Sequence, residues 1–268
     1  MKNKLHRFFE EEKIEYFSLI PYSQCRIIRP DIMARENFVP RSVIIFLVPY
    51  YSGECVNISR YAASRDYHIY LNAVNDRLSK FLRNEAAGTR SKGYGDHSSI
   101  DERDAAAKCS LGVIGDNGLL INEKYGSYVF IGELICDIEP NLLASTSVGA
   151  VNFCEHCGAC RIACPTGKLS NPEKPCLSAI TQKRGSLTDS EKELIKKSGT
   201  VWGCDACQEA CPHNENPEIT PISFFREGRI VNLTPEILSD MSDGEFSSRA
   251  FSWRGRTPLL RNLEIYEK

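Results

Sequence analysis

The sequence predicts an α+β protein in which a mixed α/β domain comes first and a small cysteine-rich domain and a short helical tail follow. The apolar run Val43–Val48 has the length and β-branched content of a buried strand, and residues 66–85 place apolar side chains at helical spacing. Eight of the twelve cysteines lie between Cys154 and Cys211, which marks a second domain. The predicted domains are residues 1–147, 148–220 and 221–268.

Composition and charge place the chain among ordinary folded proteins. Apolar residues make up 42% of the 268 residues, charged residues make up 25%, and the net charge is -2. These values argue against disorder and against a uniformly basic, nucleic-acid-binding surface. The run Val43–Val48 is the longest strongly apolar stretch, far below the ~18–20 residues that cross a bilayer. The N-terminus has acidic residues where a secretory signal would be apolar. We therefore expect a cytoplasmic protein without a membrane span.

Further elements of the first domain follow from local signals. Alanines favour a helix over residues 100–110, with Ser98 and Ser99 as candidate N-caps. Residues 119–122 and 127–136 have the composition of strands. Helices and strands thus mix within one domain, as expected for an α/β or α+β fold.

The cysteines of the second domain form two related runs. Cys154-x-x-Cys157-x-x-Cys160-x-x-x-Cys164-Pro165 has the spacing of a bacterial ferredoxin run, and Cys204-x-x-Cys207-x-x-x-Cys211-Pro212 repeats its second half. Each [4Fe-4S] cubane takes four thiolates, and in two-cluster proteins the cysteine before the proline ligates the other cluster. The spacing therefore predicts two [4Fe-4S] clusters with exchanged ligands.

The second run lacks one ligand, because Val201 stands where its first cysteine belongs. We assign Cys176, which lies between the two runs, to fill the gap. The predicted ligand sets are Cys154, Cys157, Cys160 and Cys211 for one cluster, and Cys164, Cys176, Cys204 and Cys207 for the other. Zinc is the alternative metal, since Cys-x-x-Cys pairs also build tetrahedral structural sites. Zinc sites, however, do not call for two interleaved runs that end in Cys-Pro.

The remaining cysteines have a different expected role. Cys25, Cys55, Cys109 and Cys136 are scattered, and we expect them to pack as small buried side chains. Two neighbouring clusters make a short path for electrons, and such a path needs an acceptor at its end. We therefore look for the reacting centre within residues 1–145.

The sequence resembles the cobalamin-dependent epoxyqueuosine reductases, which complete the tRNA nucleoside queuosine. The resemblance covers nearly the whole chain. It rests on Ser64-Arg65-Asp66-Tyr67-His68, Asp96 followed by Arg103, Gly112-x-x-Gly115-x-Asn117, Tyr125-Gly126-Ser127-Tyr128, both cysteine runs, Trp202–Gln208, Ser252-Trp253-Arg254-Gly255, Pro258 and Arg261-Asn262. Two positions depart from the family pattern: Cys109-Ser110 replaces Ala-Gly, and Asp116 replaces a basic residue.

The resemblance implies an N-terminal α/β domain of the nitroreductase-like, cobalamin-binding type, joined to a ferredoxin-like domain with two [4Fe-4S] clusters. It implies an oxidoreductase in which the clusters supply electrons through cobalamin and an epoxide oxygen leaves as water. Leu71 occupies the glycine position of the motif that ligates cobalt through histidine. We therefore expect cobalamin without a protein ligand to cobalt.

Two residues are expected to act in catalysis by this resemblance. Asp96 matches the family's proton donor, and a carboxyl pressed against an apolar corrin face is desolvated, which favours its protonated form. The alternative is that Asp96 caps the helix over residues 100–110. Arg103 follows seven residues later and, at two helical turns, could face the same site and tether Asp96 or a substrate oxygen. A solvated surface arginine is the alternative.

The resemblance also implies residues around cobalamin, namely Ser59, Leu120, Ile131, Ser178 and Asp205. Main-chain groups could make several of these contacts, and Leu120 and Ile131 would serve equally well as core residues. Side-chain identity at these positions therefore does not distinguish a cofactor contact from a core residue.

The tail and the partners complete the expectations. Thr234 and Pro235 predict a helix start, and a second short helix is expected near Asp243. Longer family members continue into helical repeats that help to hold tRNA, so this sequence, ending at Lys268, is expected to be a short form. The basic stretch Arg249–Arg261 could neutralise phosphates and stack a base, or Trp253 could instead anchor the tail in the core.

The expected partners are tRNA and a low-potential electron donor such as ferredoxin or flavodoxin, with the chain itself a monomer. Two other functions stay open from the sequence. One is a corrinoid iron-sulfur reductase that acts on a different, small electrophile. The other is a two-cluster electron-transfer protein without its own substrate.

Overall fold

The computed structural model describes residues 2–142 and 154–268, and the chain divides into two compact units. One unit comprises Met1–Pro49 and His68–Glu155, and the other comprises Tyr50–Tyr67 and His156–Lys268. The predicted domains were contiguous, whereas residues 50–67 here join the cysteine-rich unit. The predicted boundary between residues 147 and 148 lies outside the described residues.

The first unit is built on an antiparallel sheet. Its strands and the strands of a small hairpin are β1 (Phe17–Pro21), β2 (Ser42–Pro49), β3 (Ser91–Gly95), β4 (Val113–Ile114), β5 (Leu120–Ile121) and β6 (Val129–Cys136). The described sheet has the order β1-β2-β6-β3, and β4 pairs with β5. All residues of β2 are buried, so the strand predicted from its apolar run is confirmed. Its full burial follows from its central place between β1 and β6.

Glycine 112 shows why this hairpin carries a small residue. A Cβ atom on Gly112 would lie 2.5 Å from the main-chain oxygen of Ile121 in β5. Such an approach is closer than a real Cβ contact allows, so the strand and the segment before β4 can meet only at glycine. The glycine pattern thus serves close packing of the main chain.

The helices of the first unit are α1 (Lys2–Glu11), α2 (Pro30–Ala34), α3 (Tyr67–Glu85) and α4 (Glu102–Lys108). Helix α3 confirms the helix predicted over residues 66–85. Its buried apolar residues recur at helical spacing, and they are Leu71, Val74, Leu78 and Leu82.

The start of α4 corrects two expectations. Its N-cap is Asp101, whose carboxylate accepts a hydrogen bond from Asp104 N at 3.3 Å. Ser98 and Ser99 are buried before the helix and do not cap it, and Asp96 does not cap it either. An aspartate directly before the first helical turn meets the free N–H groups better than serines further upstream.

The second unit consists of short helices. They are α5 (Ala159–Ala163), α6 (Leu177–Thr181), α7 (Asp189–Ser198), α8 (Ala206–Glu209), α9 (Ser223–Arg226), α10 (Pro235–Asp240), α11 (Asp243–Ser247) and α12 (Arg256–Glu267). Thr234 caps α10, with Pro235 at its first position, as the sequence predicts. The helix expected near Asp243 is α11. In the described ranges, no helix combines the length and the apolar character needed to cross a membrane.

The tail packs on the core of the second unit. Trp202, Phe251 and Leu259 are fully buried there, together with Ile58 from the segment 50–67. Trp253 is 54% exposed, so the alternative in which it anchors the tail in the core is wrong. Phe251, two residues earlier, is the anchor.

Candidate functional site

The cysteines of the second unit sit on short helices and at their ends. Helix α5 carries Cys160 and ends at Cys164, while Cys176 is the residue directly before α6. Helix α8 carries Cys207, and Cys211 begins the 3-10 turn 212–214. Helices α5 and α8 pack against each other. The two predicted cysteine runs therefore meet in space.

Four thiols share one electrostatic neighbourhood. Burial raises the pKa of Cys204 to about 11, and the charges of Cys176 and Cys164 add to this rise. Burial likewise raises the pKa of Cys207 to about 12, with further contributions from Cys204, Cys176 and Cys164. These four residues form one of the two predicted ligand sets. Grouped thiols that resist ionisation alone are stabilised as thiolates by a bound metal centre.

The loop after Cys164 is shaped around its sulfur. Burial raises the pKa of Cys164, but main-chain N–H groups of Leu169, Thr166 and Lys168 and the Thr166 hydroxyl outweigh this effect and lower it. The Sγ atom lies 3.7 Å from Thr166 Oγ1. Hydrogen bonds of this kind favour a thiolate. In iron-sulfur proteins they also adjust the reduction potential of the cluster.

The other predicted set is described less completely. Cys157, Cys160 and Cys211 belong to the second unit, and Cys154 is counted with the first unit, at the edge of the described residues. Cys157 is exposed, whereas Cys160 and Cys211 are half-buried. The ligand role of this set stays a prediction.

The scattered cysteines mostly pack as expected. Cys25, Cys109 and Cys136 are buried, and Cys55 is half-buried. Burial raises the pKa of Cys136 to about 11 and that of Cys25 to about 12. These thiols are therefore neutral packing groups near neutral pH.

Asp205 and Ser59, both predicted from the resemblance, lie together. The Ser59 hydroxyl donates to Asp205 Oδ1 at 2.5 Å, and Arg60 N donates to Asp205 Oδ2 at 2.7 Å. Gln208 Nε2 also donates to Oδ1, at 3.1 Å. Burial raises the pKa of Asp205, and the Ser59 and Arg60 hydrogen bonds oppose that rise. Both oxygens are thus occupied by donors of the protein itself.

Arg60 completes this network, and no sequence motif marks it. Its guanidinium is 7% exposed and pairs with Asp205, with Glu54 and with Glu209. The distance from Nη1 to Asp205 Oδ2 is 3.3 Å. Asp205 and Glu209 lie about 145 residues away along the chain, so no local pattern could have indicated the pairing.

A cavity of about 160 Å³ lies beside this network. Its lining joins the segment 50–67 to the predicted cluster ligand Cys204. The lining includes Cys55, Ser59, Arg60, Cys204, Asp205 and Glu209. Charged and hydroxyl groups dominate this part of the wall. The cavity therefore suits a polar part of a ligand that lies next to Cys204.

Gly203 lets residues 202–204 approach Ser59 closely. Its φ is +75°, in the left-handed region, and a Cβ atom there would lie 2.4 Å from Ser59 Cβ. Ser59 N donates to Trp202 O at 2.8 Å, and Gly203 N donates to Thr181 Oγ1 at 3.0 Å. The Trp-Gly-Cys sequence is thus required by backbone shape as well as by ligand spacing.

Asp96 lies in the first unit, directly after β3. It has φ +68°, a left-handed conformation that is uncommon for a residue other than glycine, and it is exposed. Its main-chain N donates to Glu102 Oε2 at 3.1 Å. Asp96 and Arg103 are not on one helix, so the argument from two helical turns is wrong.

Glu102 nevertheless contacts Asp96, and Arg103 is the next residue of α4. Arg103 Nη1 donates to Gly118 O at 2.7 Å, and its Nε lies 3.9 Å from Asp101 Oδ1. Burial raises the pKa of Glu102 to about 7, the Asp96 charge adds to this rise, and the Arg103 charge opposes it. Glu102 thus responds to both predicted catalytic residues, and sequence reasoning missed it.

The other predicted cofactor contacts are placed in packed surroundings. Leu120 and Ile131 are 4% and 8% exposed and belong to the core of the first unit. Ser178, in α6, is half-buried and its hydroxyl accepts from Gln182 Nε2 at 2.8 Å. The core role that the sequence left open is thus observed for Leu120 and Ile131.

Sequence comparisons identify relatives for both parts of the chain. Residues 37–97 match the family described as epoxyqueuosine reductase QueG, DUF1730, and residues 153–214 match the 4Fe-4S double cluster binding domain. The epoxyqueuosine reductase of Listeria monocytogenes is 30% identical over 97% of this chain and 72% of its own length. That of Bacillus subtilis is 32% identical over 74% of this chain and 52% of its own length.

Solved structures agree on the fold. A selenomethionine-labelled epoxyqueuosine reductase is 23% identical and covers 98% of this chain and 80% of its own, with a TM-score of 0.79. An epoxyqueuosine reductase with an epoxyqueuosine-modified tRNA-Tyr stem loop is 22% identical over 98% of this chain and 81% of its own, with a TM-score of 0.75. The predicted α+β architecture is confirmed.

The fold and the grouped thiols define an iron-sulfur protein in which a mixed α/β unit accompanies a domain for two [4Fe-4S] clusters. The zinc alternative is not supported, because the whole cysteine segment matches a double-cluster domain. The chain belongs to the epoxyqueuosine reductase family. It spans about half the length of the B. subtilis relative and 60% of that from Lactococcus garvieae.

Proposed function

We propose that this chain is an epoxyqueuosine reductase that reduces the epoxide of epoxyqueuosine in tRNA to an alkene. The reaction takes two electrons and two protons, breaks two C–O bonds, forms a C=C bond and releases water. The relatives carry the name of this activity, and one solved relative holds a tRNA stem loop with the modified nucleoside. The observation that supports the proposal most is the group of four thiols inside a chain of this family.

The ligand sets follow the prediction from spacing. Cys164, Cys176, Cys204 and Cys207 would hold one [4Fe-4S] cluster, and their common neighbourhood fits four thiolate donors. Cys154, Cys157, Cys160 and Cys211 would hold the other. Helices α5 and α8 support the exchange of ligands between the runs, because they pack together and carry Cys160 and Cys207.

The resemblance assigns five residues to cobalamin. In the second unit, Ser59, Ser178 and Asp205 would contact it. Leu120 and Ile131 lie in the core of the first unit, and a contact of theirs with cobalamin stays a prediction. The cavity of about 160 Å³ beside Cys204 has room for a polar fragment of such a cofactor and not for the whole molecule. Because Ser59 and Asp205 bind each other, they would form a fixed wall while main-chain groups make contacts. When bound, cobalamin supplies the redox-active cobalt that links clusters and epoxide.

Asp96 would deliver the proton that the epoxide oxygen needs. Its carboxyl is exposed at the end of β3, where a substrate can reach it. A carboxyl within hydrogen-bond reach of the leaving oxygen acts as a general acid once bound groups exclude water. A structure of the B. subtilis enzyme has its catalytic aspartate loop swung out of the active site, which supports a mobile acid. Arg103 would hold the substrate oxygen or Asp96 beside it.

The partners follow from the same proposal. Electrons would come from a low-potential donor such as ferredoxin or flavodoxin, and the chain would act as a monomer in the cytoplasm, where tRNA is modified. The exposed Trp253 carries the Arg254 guanidinium 3.8 Å from its ring centre, an arrangement that suits stacking on a base.

The decisive test is complementation. A bacterial host deleted for its own epoxyqueuosine reductase would receive this chain, Asp96→Asn or the exposed control Asp31→Asn, and its tRNA nucleosides would be measured by mass spectrometry. We expect queuosine with the unchanged chain and with Asp31→Asn, and epoxyqueuosine with Asp96→Asn. Epoxyqueuosine persisting with a well-expressed, cluster-loaded chain would overturn the proposal.

A further inference from the structure

The loop that carries Asp96 has an unfavourable main-chain conformation. Asp96 adopts φ +68°, although aspartate lacks the freedom of glycine. A left-handed residue of this kind persists only where its surroundings determine it. Asp96 N donates to Glu102 Oε2 at 3.1 Å, His97 N donates to Gly95 O at 2.8 Å, and the His97 ring contacts the Arg29 guanidinium.

Glu102 is held more firmly than the loop it binds. It is the first residue of α4, whose start is fixed by the Asp101 cap. Ala105 and Ala106, one turn later, are fully buried in the core of the first unit. The carboxylate of Glu102 therefore reaches from a packed helix to an exposed loop.

The charge of Glu102 is poised to change near neutral pH. Burial first, and then the Asp96 and Asp101 charges, raise its pKa to about 7, while the Asp96 N–H and the Arg103 charge lower it. Glu133, on β6 behind the helix, is fully buried and is influenced by the Glu102 charge. Arg29 is the positive charge that acts on Glu133. His97, the residue after Asp96, contacts the Arg29 guanidinium through its ring Nδ1. Together these groups are the titratable and charged neighbours of the pair from α4, the loop after β3, β6 and the segment before α2.

We propose that Glu102 is a positioning residue, whose carboxylate holds the Asp96 main chain in its left-handed conformation and releases the loop when it becomes protonated. An ionised acceptor binds an N–H group more strongly than a neutral carboxyl does. The negative form of Glu102 thus fixes the loop, and the neutral form loosens it. Glu102 acts through Asp96 and is not itself a catalytic residue.

The consequence for turnover rests on the proposed function. Loss of the Glu102 hydrogen bond leaves the Asp96 carboxyl available, but its side chain then occupies several positions. We expect about a tenfold fall in kcat in Glu102→Ala, since one hydrogen bond to a charged group has about that effect. KM for the modified stem loop should change little. The low-pH limb of the kcat profile, near pH 7 in the unchanged chain, should be absent in Glu102→Gln.

The test of the positioning itself needs no turnover. Hydrogen exchange of the Asp96 amide would be followed by NMR between pH 5.5 and 8.5, as ~0.5-unit steps, in the intact protein. We expect protection that increases as pH rises through about 7. In Glu102→Ala protection should fall about tenfold, and in Glu102→Gln, whose amide oxygen still accepts, protection should be intermediate and independent of pH.

The matched control is Asp104→Asn on the same helix, whose side chain pairs with Lys108 at 2.8 Å. Its Asp96 amide should exchange as in the unchanged chain. Unchanged protection in Glu102→Ala would overturn the proposal, and so would lost protection with unchanged kcat. If the unchanged chain reduces no epoxyqueuosine, the proposed function fails, while the exchange data still decide whether Glu102 holds the loop.

Discussion

The Ser59 hydroxyl donates a hydrogen bond to the Asp205 carboxylate across 2.5 Å, although the two residues lie 146 positions apart. Both side chains are buried, and Cys204, a proposed cluster ligand, directly precedes Asp205. The contact fixes the segment 50–67 against the start of α8. The position of the proposed cluster site is therefore coupled to a segment from the N-terminal part of the chain.

Removing the Asp205 carboxylate should destabilise the second unit. Asp205→Ala leaves the buried Arg60 with less compensation, and breaking a buried ion pair from one side costs roughly 3–5 kcal/mol. We expect a clearly lower Tm of the intact, anaerobically prepared protein by calorimetry. Asp240→Asn, an exposed acid of the same unit, is the control and should leave Tm unchanged. Equal Tm values for both variants would contradict a structural role of the Asp205 network.

One cluster should depend on Cys207 and not on Cys55. Cys207→Ser removes a ligand from the four-thiol group, so the iron content should fall from about eight to about four atoms per chain. Cys55→Ser is the matched control, because Cys55 lines the cavity beside Cys204 without being a proposed ligand. Iron analysis and the absorbance near the cluster bands would measure both. An equal loss of iron in the two variants would refute the ligand assignment.

An alanine substitution at Gly203 should destabilise the fold more than one at Gly185, another glycine with positive φ. Gly203→Ala adds a Cβ atom 2.4 Å from Ser59 Cβ, whereas Gly185→Ala, at φ +78°, meets nothing within 4 Å. Both variants pay for the left-handed backbone, but only the first adds an overpacking cost of roughly 1–3 kcal/mol. Thermal unfolding should therefore show the lower Tm for Gly203→Ala. The reverse order would contradict the close approach to Ser59.

Glu133 should make stability depend on pH. Burial raises its pKa from 4.5 to about 8, and the Ser98 hydroxyl partly opposes this rise. The folded state therefore binds this proton more tightly than the unfolded state. The contribution of protonated Glu133 to the free energy of unfolding is fully present below pH 4.5 and is lost as pH rises through about 8.

The variant Glu133→Gln isolates this effect. It cannot ionise, so its stability should exceed that of the unchanged chain by an amount that grows from pH 5 to pH 9 and reaches up to about 4 kcal/mol. Chemical unfolding at a series of pH values measures it, with the exposed Glu10→Gln as control. Parallel pH profiles for Glu133→Gln and the unchanged chain would show that Glu133 does not titrate in this range.

The sequence predicts those helices and strands that depend on neighbouring residues. The apolar run of β2, the helical spacing of α3 and the Thr234-Pro235 start of α10 all appear as expected, because each depends on neighbouring residues. Glu133 could also have been noticed, since it is a single acid within the apolar strand β6.

Features that depend on distant residues were not predictable. Arg60 meets Asp205 and Glu209 only after folding, and no spacing in the sequence announces that network. The turn between β3 and α4 separates Asp96 from the helix that was expected to carry it beside Arg103. Asp101 proved the better cap because it stands directly before the first helical turn.

One measurement tests the proposed reduction of epoxyqueuosine in tRNA directly. The direct measurement uses anaerobically reconstituted protein with two clusters and cobalamin, a chemical reductant and a tRNA stem loop that carries epoxyqueuosine, followed by mass spectrometry of the nucleosides. We expect loss of one oxygen atom and formation of queuosine, with Asp96→Asn retaining cofactors but losing turnover. An epoxide that survives while the clusters and cobalamin are bound and reduced would contradict it.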